Sequence, residues 1–160
     1  MKKTAIITTI LIILSIFSAN AQYNLGVGLR LNYGYGVSIK YNMNRSKSFE
    51  GIVYSRWRGI NFTGLYEIHK PAFQAQNWRW YYGVGGHLGY WRDGGRYGNP
   101  WFENNNSNTV IGADGILGLE YTFKKIPLNM SVDWKPAFNI VGYTGLWLDD
   151  VAITARLAIK

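Results

Sequence analysis

A strict alternation of large apolar with small or polar residues runs through two long arms of one hairpin. It constrains this chain more than any other feature. The second arm sets Leu128, Met130, Val132, Trp134, Pro136 and Phe138 against Asn129, Ser131, Asp133, Lys135, Ala137 and Asn139. The first arm runs from Ile111 to Lys124 and sets Leu117, Leu119, Tyr121 and Phe123 against Gly118, Glu120, Thr122 and Lys124. A period of two puts the large apolar side chains of an extended segment on one face. Both arms exceed an ordinary strand of ~5–6 residues. They reach the ~9–11 that a tilted strand needs to cross a bilayer. Lys125, Ile126 and Pro127 form the short connection. In register, this connection sets Glu120 opposite Ser131 and Lys135 diagonal to Asp114.

The same alternation recurs along the rest of the chain. It predicts strands over 23–33, 37–43, 49–57, 60–69, 78–91 and 151–160 beside the two hairpin arms. Tight turns are expected at Gly34-Tyr35-Gly36, Asn44–Lys47 and Arg58-Gly59, with a longer connection over Lys70–Asn77 around Pro71. Two long loops, Arg92–Asn108 and Ile140–Asp149, would lie at one end. The predicted fold is all-β: an eight-stranded, antiparallel, up-and-down transmembrane β-barrel. An even strand number, short turns at one end and long loops at the other suit the outer-membrane kind.

Charged residues keep to one parity in every predicted strand. This gives a candidate lumen network of Arg30, Lys40, Glu50, Arg56, Glu67, Arg79, Asp114, Glu120, Asp133, Lys135 and Arg156. A soluble lipocalin-like barrel would show the same alternation with its charges outside. Two features favour the membrane sense. The charged parity is crowded with Gly26, Gly28, Gly83, Gly85, Gly89, Gly112 and Gly118, and an eight-stranded interior has room for little more than side chains. The apolar parity carries Tyr33, Trp78, Tyr90, Tyr121 and Trp134 toward strand ends, as an aromatic girdle does. The mean hydropathy of −0.11 agrees, because lipid-facing and lumen-facing residues cancel in the average.

The first 21 residues read as a cleaved export signal. Lys2 and Lys3 precede an apolar run from Ala5 to Phe17, and Ala19-Asn20-Ala21 supplies the cleavage pattern. One domain, 22–160, follows. With no cysteine, disulfides, thiolate metal sites and cysteine catalysis are excluded. The formal net charge is +8, but the basic residues are scattered singly, so no nucleic-acid footprint is indicated.

His69 and His87 are the only histidines. No serine or aspartate partner motif accompanies them, so they read as hydrogen-bonded lumen residues rather than general bases. Two histidines without ligand spacing make no zinc site. The glycines at 83, 85 and 86 fail the dinucleotide pattern, because Leu88 stands where the third glycine belongs. No catalytic residue, metal or cofactor is expected. The long loops carry the candidate external contacts, Tyr97, Trp101, Phe102, Tyr143 and Trp147. They would meet a surface partner or the lipopolysaccharide headgroup layer.

Four stretches, Thr63–His69, Trp80–His87, Gly115–Phe123 and Asp133–Asn139, together resemble the small outer-membrane β-barrel proteins of Gram-negative bacteria, of the OmpX-like eight-stranded kind. The resemblance implies an outer-membrane location, contact with outer-membrane lipid and lipopolysaccharide, and handling by the outer-membrane assembly machinery. It implies no catalytic residue. Such chains end in an aromatic residue that the machinery reads, whereas this one ends Leu157-Ala158-Ile159-Lys160. The expectation is a monomeric barrel with a plugged polar lumen, a structural or surface-interaction role and no turnover. A lipid-modifying enzyme and a small-solute channel remain the alternatives, with a soluble ligand carrier behind them.

Overall fold

The computed structural model describes residues 24–56, 59–91, 108–142 and 144–159. The segment expected to be an export signal, together with Tyr23, Trp57, Arg58, Tyr97, Trp101, Phe102, Tyr143 and Lys160, lies outside the described residues.

The strands are β1 (Leu25–Leu31), β2 (Tyr35–Asn44), β3 (Lys47–Arg56), β4 (Gly59–Ala72), β5 (Ala75–Trp91), β6 (Asn108–Thr122), β7 (Leu128–Trp134), β8 (Ala137–Val141), β9 (Gly145–Trp147) and β10 (Val151–Ile159). Each of β1 to β6 pairs antiparallel with the next, and β10 closes the ring between β7 and β1. The result is a closed eight-stranded up-and-down barrel with two further strands. β8 continues the line of β7 along β6, and β9 pairs with β8. The barrel is uneven in height: β4, β5 and β6 have 14, 17 and 15 residues, whereas β1 and β7 have 7 each.

The alternation decides inside and outside as expected. Lys40, Glu50, Glu67, Glu120, Asp133 and Arg156 are buried, while Leu29, Val37, Phe62, Leu88, Leu117, Val132 and Ile153 are exposed. The hairpin register is also as read, with Glu120 paired to Ser131. Inward glycines make room for large rings: a Cβ on Gly118 would strike the Tyr81 ring, and one on Gly89 or Gly59 would strike Trp91. The interior is not uniformly polar. Ile52, Tyr54, Leu65, Tyr81 and Ile116 form an apolar cluster on the β3–β6 side.

Several boundaries differ from the expectation. The Lys70–Asn77 connection is a two-residue turn, Phe73-Gln74, and Ala72 pairs with Ala75. Both turn residues have positive φ, 55° and 53°. That is the hairpin geometry whose twist matches the flanking strands. No Gly or Asn marks it, and Pro71 sits beside a register shift, where a missing N–H is tolerated. The first turn is Asn32–Gly34 rather than Gly34–Gly36, since Leu31 pairs with Tyr35 and the Asn32 side chain accepts from Gly34 N at 2.8 Å. The second arm breaks after Trp134, and its outer neighbour changes there from β10 to β9. Pro136 sits at the break, where it withholds no N–H from a ladder and still accepts from Gly115 N at 2.8 Å. The expected Ile140–Asp149 loop therefore contains the end of β8 and all of β9.

Candidate functional site

The inward charges gather into two clusters. The first lies toward the short-turn end. Lys40 Nζ stands 3.1 Å from Glu50 Oε2, 2.8 Å from Glu67 Oε2 and 3.9 Å from Glu120 Oε2. The Arg156 guanidinium pairs with Glu50. Its Nε and Nη1 donate to Ser38 Oγ and Ser131 Oγ, each at 2.8 Å. Ser38 Oγ in turn donates to Glu50 Oε1 at 2.5 Å. His69 completes the cluster, with Nδ1 3.0 Å from Glu120 Oε1 and Nε2 3.0 Å from Glu67 Oε2.

The second cluster lies toward the long-loop end. Arg30 bridges Asp133 at 2.7 Å and Asp150 at 3.5 Å. Lys135 bridges Asp114 at 2.8 Å and Asp150 at 3.2 Å. His87 Nδ1 lies 2.8 Å from Asp114 Oδ2, and its Nε2 lies 2.9 Å from Asn139 Oδ1. Burial pushes the Asp150 carboxyl up. Lys135 and Arg30, with hydrogen bonds from Asn32 and Lys135, outweigh this and hold it below the ordinary carboxylate range.

The clusters share one composition: three carboxylates, two permanent cations and one histidine. A lone charge in this setting would be very costly, and pairing removes most of that cost. Tyr81 links the two. Its ring stacks on His69 with centroids 5.1 Å apart and carries Lys40 Nζ 4.1 Å above it, while its hydroxyl donates to Asp133 Oδ2 at 3.0 Å.

One arrangement has the spacing of a nucleophilic triad. Ser48 Oγ lies 2.7 Å from His69 Nε2, and His69 Nδ1 faces Glu120. Ionised carboxylates accept only, so with Glu120 and Glu67 both ionised His69 would donate to them from both nitrogens. It is then no base for Ser48, whose hydroxyl donates to Glu67 Oε2 at 3.0 Å. Ser48 is fully buried. Among the described residues no group of three or more His, Cys, Asp or Glu side chains is arranged to hold a metal ion.

Nine of the expected network residues, Arg30, Lys40, Glu50, Glu67, Asp114, Glu120, Asp133, Lys135 and Arg156, meet in these clusters. Two do not. Arg56 lies at the mouth, 3.2 Å from Asp149 and stacked 5.0 Å from both the Tyr33 and Trp147 rings. Arg79 is half-buried at the opposite end and joins neither cluster. Trp147, expected as an external-loop contact, lies over Arg56 and lines a small cavity at the long-loop end, where β9 pairs with β8. That cavity measures about 20 Å³ and is also lined by His87, Trp91, Asp114, Lys135 and Asp150. It is room for about one water molecule. Sequence reasoning missed Asp150, Tyr81 and the serine and asparagine partners Asn32, Ser38, Ser48, Ser131 and Asn139. Asp150 shares the inward parity of Ala152, Thr154 and Arg156, and that parity was the available signal.

Fold and lumen together define the class: a closed eight-stranded antiparallel β-barrel that is ionic inside and apolar outside. No protein-family model, curated protein or solved structure matches the chain.

Proposed function

We propose that this chain is an outer-membrane β-barrel protein of the OmpX-like kind, closed to solutes, with a structural or surface-interaction role and no turnover. One observation carries the reading: large apolar side chains are exposed on every strand of the ring, from Leu29 and Ile39 round to Val132 and Ile153, while the charges of the two clusters are buried. In water such a surface would aggregate, because monomeric soluble proteins rarely expose apolar patches beyond a few hundred Å². In a bilayer it is the ordinary outer surface of a barrel. The closed lumen rests on Lys40, Glu50 and Arg156, whose side chains have 0% exposure, so no water-wide passage runs past them. Interaction is assigned to the long-loop end, where Tyr97, Trp101, Phe102 and Tyr143 fall on the connections and Leu146 is exposed.

Refolding into phosphatidylcholine vesicles tests the reading. Acyl-brominated lipid should quench tryptophan emission, and a planar bilayer should show no steady conductance. A monodisperse protein without detergent would overturn the membrane assignment. Reproducible ohmic steps would overturn the closed lumen and favour the channel. Lipid turnover that Ser48→Ala abolishes would favour the lipid-modifying enzyme.

A further inference from the structure

The two ends of the barrel differ in charge. The end formed by the turns at 45–46, 73–74 and 124–127 presents Arg45, Lys47, Lys70, Lys124 and Lys125, all exposed. None of the described carboxylates lies there. Glu50, Glu67, Asp114, Glu120, Asp133 and Asp150 sit in the lumen clusters, and Asp149 pairs with Arg56 at the opposite mouth.

The cations adjoin one another and a row of rings. His69 N donates to Ser46 O at 2.8 Å, which brings the Arg45–Lys47 turn beside Lys70 on β4. Lys70 Nζ lies 5.6 Å from the Trp80 centroid and 5.8 Å from that of Tyr82. Trp78 then packs on Phe73 and Tyr121 at 5.8 and 4.9 Å, and Tyr121 on Phe123 at 4.8 Å. Phe123 precedes Lys124 and Lys125. Tryptophan and tyrosine favour the headgroup level of a bilayer. Basic side chains at that level attract anionic lipid over a Debye length.

We propose that this rim is a docking surface for anionic phospholipid headgroups of the phosphatidylglycerol type, in the leaflet around the short turns. The proposal rests on the membrane reading above. The aromatic row sets the depth, and the exposed Lys47, Lys70, Lys124 and Lys125 select net negative over zwitterionic headgroups.

The test uses vesicles mixing phosphatidylcholine and phosphatidylglycerol, with bromine on the acyl chains of one lipid at a time. At equal mole fraction, brominated phosphatidylglycerol should associate with the wild-type barrel about fivefold more, the equivalent of one basic side chain at an anionic surface. Molar salt should shrink that ratio toward one, since the Debye length is then ~3 Å. The combined Lys47→Gln, Lys70→Gln, Lys124→Gln and Lys125→Gln variant should show no preference. Equal quenching of the wild type by either lipid, or a preference indifferent to salt, would overturn the proposal without needing the variant to fold. Quenching by neither lipid would instead show a barrel outside the bilayer, and the outer-membrane reading would fail with it.

Discussion

The Tyr81 hydroxyl donates to Asp133 Oδ2 across 3.0 Å, from β5 to β7 through the middle of the barrel. Because the same ring lies under Lys40 and against His69, one side chain touches both ionic clusters. Gly118 permits it, since a Cβ there would occupy the ring's position.

Tyr81→Phe should lower stability by about 1 kcal/mol, the usual net value of one hydrogen bond. Asp133 keeps Arg30 as a partner, so the loss stays modest. Tyr81→Ala should cost several times more, about 3–5 kcal/mol, as a buried ring truncation does. Guanidinium unfolding in detergent micelles gives both values, and equal losses would show that the ring packing is unimportant.

Lys40→Met should be severe. It leaves Glu50 and Glu67 short of a cation at a position with no solvent access, and breaking a buried pair by removing one partner costs ~3–5 kcal/mol. Adding Glu67→Gln removes one of the stranded charges, so the double variant should be more stable than Lys40→Met alone. Additive losses in the same unfolding assay would argue against a charge-balanced cluster.

Val132→Arg should impair insertion. Val132 is 52% exposed on the apolar face, and an arginine near the bilayer midplane costs ~2–4 kcal/mol. Ser131 is no neutral control for this experiment, because it already accepts from Arg156 Nη1 at 2.8 Å. Val132→Thr is the suitable comparison. A refolding titration into vesicles in which both variants insert like the wild type would show that Val132 does not face lipid.

The Asp150 carboxyl gives the mouth of the barrel an acid dependence. Its pKa is held below the ordinary value in the folded barrel. The ionised form therefore contributes stability that is complete above the unfolded pKa of about 3.9 and is lost as pH falls through the folded pKa. Asp150→Asn removes this contribution. Wild type should exceed Asp150→Asn in unfolding midpoint at neutral pH, and the gap should narrow in acid below about pH 4. A gap that widens in acid would reverse the sign of the assigned shift.

Which side chains face in was legible from sequence, because the strand period is two and needs no knowledge of neighbours. The hairpin pairing of Glu120 with Ser131 and the Lys135–Asp114 contact were legible for a related reason: a short turn between two long alternating arms leaves one register that keeps both apolar faces outside. Turn length at 73–74 was hidden, since two non-glycine residues adopt positive φ there without any local signal. The partners across the lumen were beyond sequence altogether. Arg156 and Glu50 are 106 residues apart and His69 and Glu120 are 51 apart. Arg156 reaches Glu50 only because β10 pairs with β1 and closes the ring, and His69 meets Glu120 because β5 holds β4 and β6 on either side of it in register. Periodicity specifies a side chain's face, but the choice of partner depends on how far each strand slides and which side chains then reach across a narrow, water-excluding interior, and only the closed barrel decides that.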